Sequence, residues 1–70
     1  MSYVIGLSKC EKTKKYRGEF TDSTGSFVTG LMKLKGVEDD LNHYLISLGY
    51  NFKIVFYSGN NVLTIKERSL

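Results

Sequence analysis

Asp39 and His43 stand four residues apart, the spacing at which a carboxylate and an imidazole on one helix face could form a dyad. Nucleophilic catalysis also needs a Ser, Thr or Cys oriented by that base. No pattern in the chain supplies one, so the pair reads as a solvated helix face. Cys10 has Lys9 and Lys12 beside it, cations that favour a thiolate, but a lone thiol without a pocket reads as an inert strand end. Glu38, Asp39 and Asp40 are the one run of carboxylates. A place in the first turn of a helix, at the positive end of its macrodipole, accounts for them. The seven glycines form no GxGxxG or GKS/T pattern that would cradle a phosphate. One cysteine and one histidine provide neither an intramolecular disulfide nor the usual zinc site. The residues point to no enzyme, no cofactor and no metal.

Binding is better provided for. The pI is about 9.1 and the net charge +3, unevenly spread. Residues 1–36 carry seven cations against three carboxylates, and residues 37–70 carry three against four. Such a dipolar molecule turns one side towards an anionic partner. The cations concentrate in Lys9, Lys12, Lys14, Lys15 and Arg17, with Tyr16 among them. Mobile cations at a hairpin tip suit phosphates, and an adjacent ring suits a base. Nine aromatics, five of them tyrosine, exceed what a thin core needs, and tyrosine is enriched at protein interfaces.

Two readings follow. The favoured one is a small non-catalytic binding protein. It would be a regulator or inhibitor docking on a larger host or cognate protein that handles nucleic acid, in the manner of phage accessory proteins. The alternative is a nucleic-acid-binding domain using the basic 9–17 segment and a Tyr/Lys sheet face. The partner-binding set is Lys12, Lys14, Lys15, Tyr16, Arg17, Phe27, Lys53, Tyr57 and Lys66. A homodimer is a further expectation, because apolar residues fall on sheet faces that one helix does not cover. No RNP-type aromatic run, GXXG loop or helix-turn-helix pair narrows the choice.

The elements that must position these residues are short. Seventy residues make one domain spanning 1–70, burying roughly 60% of its unfolded surface. With 41% apolar and 24% charged residues the composition is globular rather than disordered. No apolar run approaches the ~20 residues of a bilayer span. Met1-Ser2-Tyr3-Val4-Ile5 lacks the charged and apolar regions of a signal peptide, so a cytoplasmic protein is expected. Val37, Leu41, Tyr44, Leu45 and Leu48 predict a helix over about 37–48, starting near Gly36 and ending at Gly49, with Tyr50 folding back over its end.

Residues 52–57 and 62–67 predict a hairpin. A loop at 59–60 pairs Phe56 with Leu63, and one at 60–61 pairs it with Ile65. Both place Phe52, Ile54, Phe56, Leu63 and Ile65 towards the helix, and Lys53, Val55, Tyr57, Thr64 and Lys66 away from it. Three further strands are expected at 3–9, 16–21 and 26–34, with inward sets Tyr3, Ile5, Leu7; Tyr16, Gly18, Phe20; and Val28, Met32, Leu34. Phe27 and Leu31 make the opposite phase of the third strand nearly as good. The expected fold is α+β in the order β-β-β-α-β-β, with one antiparallel sheet and one helix packed on one face. Leu45→Ala is expected to destabilise the domain by ~2–5 kcal/mol in urea unfolding; a change within error would mean that the helix phase is wrong.

Overall fold

The computed structural model describes residues 2–59 and 62–70. Along the chain run β1 (Val4–Cys10), β2 (Lys15–Asp22), β3 (Gly25–Val28), α1 (Leu34–Ser47), β4 (Phe52–Gly59) and β5 (Val62–Ser69). The class is α+β, and the element order is the one the sequence predicts. The five strands do not share one sheet, however. β1, β2 and β3 form an antiparallel sheet in that order, and β4 pairs with β5 in a second. Helix α1 packs on both, against β2 and β4.

The split has a local cause. The carboxamide of Asn42 donates from Nδ2 to the Ile54 carbonyl at 2.9 Å and accepts the Ile54 N–H at Oδ1, 2.6 Å away. Glu38 Oε2 accepts the Phe56 N–H at 3.0 Å. Two helix side chains thus occupy the β4 edge that a strand of the first sheet would need.

Between the sheets lie Phe20, Val37, Leu41, Leu45 and Ile54, all fully buried, with Phe56 close to it. Val37, Leu41 and Leu45 recur every four residues, one stripe of α1. That stripe sits close to β2 because Gly18 has no side chain. A Cβ there would stand 2.5 Å from Val37 Cγ1 and 2.9 Å from Leu41 Cδ1. Tyr16, Gly18 and Phe20 face inward as expected, and Tyr3, Ile5 and Leu7 pack against the core half-buried.

The helix limits differ from the expectation. α1 starts at Leu34, after Lys33 as N-cap, and its first turn contains no carboxylate. Gly36 lies inside the helix, where a Cβ would stand 2.8 Å from Met32 Sδ. Glu38, Asp39 and Asp40 therefore follow the first turn, and the macrodipole does not account for them; Glu38 instead caps β4. Leu48, the last residue of the predicted stripe, is 41% exposed, because the helix ends at Ser47 and Leu48 is its C-cap. Gly49 has φ 90°, and the Tyr50 N–H reaches back to the Leu45 carbonyl at 3.2 Å, as the sequence predicts.

The third strand is shorter than expected, and both of its phases are partly right. Glu19 lies opposite Val28, whereas Tyr16 lies opposite Met32. Arg17 and Gly18 therefore face three residues, Thr29, Gly30 and Leu31, which is a bulge. The extra residue reverses the alternation. Phe27 packs inward and Val28 is 51% exposed, yet Met32 and Leu34 beyond the bulge also pack inward, with Leu31 exposed. Thr29, 4% exposed, holds the bulge together. Its Oγ1 accepts the Gly18 N–H and donates to the Gly30 carbonyl, and its N–H donates to the Gly18 carbonyl, each at 2.9 Å.

In the second hairpin Phe56 lies opposite Ile65, the register of a loop at 60–61; Asn60 and Asn61, which carry the predicted turn, are outside the described residues. Gly18→Ala should cost ~1–3 kcal/mol by overpacking against two buried side chains. Asn42→Ala should cost ~1–3 kcal/mol by leaving both polar groups of Ile54 without a partner. Urea midpoints check both, and a wild-type midpoint in either variant would contradict the seating of α1.

Candidate binding surface

Strand alternation puts Lys53, Val55 and Tyr57 of β4 on the hairpin face turned away from the core, with Thr64, Lys66 and Arg68 of β5 beside them. The cross-strand pairs are Lys53 with Arg68, Val55 with Lys66, and Tyr57 with Thr64. All but Val55 are exposed. The three cations share this face with no carboxylate, since Glu67 lies opposite Ile54 on the other side. Tyr57 joins them: Lys66 Nζ lies 5.5 Å from its ring centroid, and Arg68 Nη1 donates to its hydroxyl at 2.9 Å. Arg68 is a site residue the sequence analysis missed, because it ended the last strand at Glu67. The signal was present in the alternation Thr64, Lys66, Arg68.

The basic 9–17 segment forms the β1–β2 hairpin, closed by the pair Cys10 and Lys15. Lys12, Lys14, Lys15 and Arg17 are exposed, as expected. Lys14 has φ 61°, with its N–H donated to the Cys10 carbonyl at 2.7 Å, an unusual left-handed conformation for a side-chain-bearing residue. Tyr16 is half-buried, with Lys9 Nζ 5.7 Å from its ring centroid. This segment belongs to the first sheet and Lys53, Tyr57 and Lys66 to the second, so the two groups do not extend one sheet face.

Phe27, expected at an interface, is half-buried and stacked on Tyr44 at 4.5 Å between centroids. The aromatic surplus is used in the same way. Tyr3, Phe20, Phe27, Tyr44, Tyr50 and Phe52 form one network of stacked and edge-on rings, and Phe56 is buried in the core. Tyr16 and Tyr57 remain outside that network, each with a lysine over its ring.

The catalytic candidates are not brought together. Asp39 Oδ1 lies 3.4 Å from Lys35 Nζ, and no hydrogen bond or ion pair joins it to the exposed His43 among the described residues. The Cys10 thiol is shifted down, first by a hydrogen bond with the Thr13 side chain and then by the backbone of Thr13 and Lys12, rather than by neighbouring lysine charge. No three His, Cys, Asp or Glu side chains converge among the described residues. No helix is long and apolar enough to cross a membrane. An open cleft of about 270 Å³ lies where Asp22, Ser23 and Thr24 of the β2–β3 turn meet Leu48, Gly49 and Tyr50. Comparison of the chain with protein-family models, curated proteins and solved structures finds no significant match.

Asp22 anchors that cleft. Its Oδ1 accepts the Thr24 N–H and hydroxyl at 2.9 and 2.6 Å, and its Oδ2 accepts the Tyr50 hydroxyl at 2.7 Å. The Thr24 hydroxyl, followed by that of Tyr50, holds the Asp22 carboxyl below the usual carboxylate range. The bond to Asp22, helped by desolvation, pushes the Tyr50 phenol up. A lowered carboxyl contributes stability above about pH 4 that is lost as pH falls through the lowered value; a raised phenol contributes stability below about pH 10 that is lost as pH rises through it. Thermal unfolding against pH should show wild type losing stability on both sides. Asp22→Asn should flatten the acid limb and Tyr50→Phe the alkaline limb. Unchanged limbs in these variants would break the assignment.

Proposed function

We propose that this chain is a non-catalytic nucleic-acid-binding protein that engages single strands through the outer face of the β4–β5 hairpin. One observation carries the reading: Lys66 and Arg68 contact the exposed Tyr57, and Lys53 lies further along the same face, which bears no carboxylate. Phosphates along an extended strand require mobile cations, and a base can displace the Lys66 ammonium to stack on the Tyr57 ring. An open two-stranded face suits a splayed single strand better than a duplex groove. Lys12, Lys14, Lys15 and Arg17 supply a second cationic stretch that strengthens attraction without reading sequence.

The reading as a regulator docking on a larger protein retains one specific support, the exposed apolar side chains of Val4, Val28 and Leu31 on the first sheet and its bulge. Its aromatic argument is weaker, because Phe27 and most of the rings serve the interior.

Fluorescence anisotropy with labelled oligo-dT and oligo-U distinguishes the two. With three phosphates neutralised at the hairpin, the slope of log K against log salt should reach about −2 for a single strand. Replacing Lys53, Lys66 and Arg68 with glutamine should remove most of that slope. Tyr57→Ala should weaken binding about 5- to 150-fold, the equivalent of one lost stacking contact. No binding to either oligomer at low salt, or equal binding by the triple variant, would defeat the nucleic-acid reading. Salt- and nuclease-resistant capture of a protein partner, lost in Val4→Ser and Val28→Ser, would replace it with docking.

A further inference from the structure

Helix side chains occupy the middle of the β4 edge of the hairpin sheet, whereas no side chain occupies the β5 edge among the described residues. Ile54 and Phe56 turn their N–H groups towards Asn42 and Glu38, so they face away from β5. Their partners Glu67 and Ile65 are then non-hydrogen-bonded pairs, whose own N–H and C=O groups point away from β4. No hydrogen bond is found for that outer edge among the described residues, and β5 packs extensively on β4 alone. It is eight residues long, with no proline and no bulge. A two-stranded sheet is also the architecture with most to gain from a further strand.

We propose that β5 pairs antiparallel with β5 of a second copy of this chain, about a two-fold axis at Ile65, joining two hairpins into one four-stranded sheet. Self-pairing of β5 avoids like charges across the axis when it is centred on Thr64 or Ile65, and the longer overlap selects Ile65. Centring the axis on Lys66 would place Lys66 directly opposite its own copy. Centring it on Glu67 would oppose Glu67 to itself and Lys66 to Arg68. Centring it on Ile65 opposes Ile65 to Ile65, Leu63 to Glu67 and Thr64 to Lys66, with no like charges across. It also uses β5 almost from end to end. The outer-edge N–H groups of Leu63, Ile65 and Glu67 gain carbonyl partners in this register. Lys66 and Arg68 do not obstruct it, since their side chains lie on the sheet face beside Tyr57. The inference is independent of the nucleic-acid reading.

Sedimentation equilibrium in reducing buffer, without nucleic acid, tests it. Wild type should show a concentration-dependent monomer–dimer equilibrium. Glu67→Pro removes one outward N–H without touching the β4–β5 ladder, so the monomer should stay folded by circular dichroism while the dimer is lost. Thr64 is exposed, and two copies of each 64–66 pair form per dimer. Thr64→Glu should therefore tighten association and Thr64→Lys weaken it, each by about 2- to 30-fold. A wild type that remains monomeric up to millimolar concentration would overturn the proposal. So would a dimer indifferent to Glu67→Pro, or one in which the two Thr64 variants shift the same way.

Discussion

Helix α1 sets how both sheets are placed, and it does so through contacts of opposite character. On one side it lies against bare backbone, where Gly18 lets Val37 and Leu41 approach β2. On the other it meets a strand edge with polar side chains, Asn42 and Glu38 standing in for a hydrogen-bonded neighbour of β4. The first contact is dispersion and burial, which tolerate no added volume. The second is directional and satisfies groups that would otherwise be buried without partners. Together they keep the first sheet and the hairpin apart as separate bodies around a shared core. The ring network closes one end of that core, with Tyr3 stacked between Phe20 and Phe52.

The parts of this arrangement legible in the sequence are those written as a period. The four-residue spacing of Val37, Leu41 and Leu45 fixes the helix face, and alternation fixes the inward residues of the hairpin in either register. What was not legible depends on neighbours distant in sequence. The start of α1 at Leu34 follows an N-cap, Lys33, that makes no side-chain cap, and the exposure of Leu48 depends on where the helix stops. The third strand resisted a single phase because the Thr29 bulge changes parity midway, and a buried threonine hydroxyl is not visible as a pattern. The division into two sheets rests on Asn42, which carries no sequence signal, and on Glu38, which the sequence places in the helix-dipole run.

The candidate surface follows the same division. Exposure of Lys12, Lys14, Lys15, Arg17, Lys53 and Lys66 followed from their places in turns and on the polar side of strands. Aromatic content misled, because composition cannot separate rings that stack on one another from rings free to meet a partner. In a domain with so thin an aliphatic core, six rings do packing that leucine and isoleucine perform in larger proteins. Tyr57 is distinguished only by falling on the outward parity of β4, and Arg68 by one more step along β5.

The closed edge of β4 also has a bearing on colloidal behaviour. A hairpin with two free edges can add strands at both ends and grow without limit, which is the geometry of fibrils. Here the carboxamide of Asn42 acts as a terminator. It presents the donor and acceptor of a neighbouring strand but offers no next edge, so growth of this sheet in that direction stops after zero additions. Any self-contact must use β5, and a two-fold contact there consumes the edge that made it. Two helix side chains, Asn42 and Glu38, therefore confine any growth of this sheet to its β5 edge.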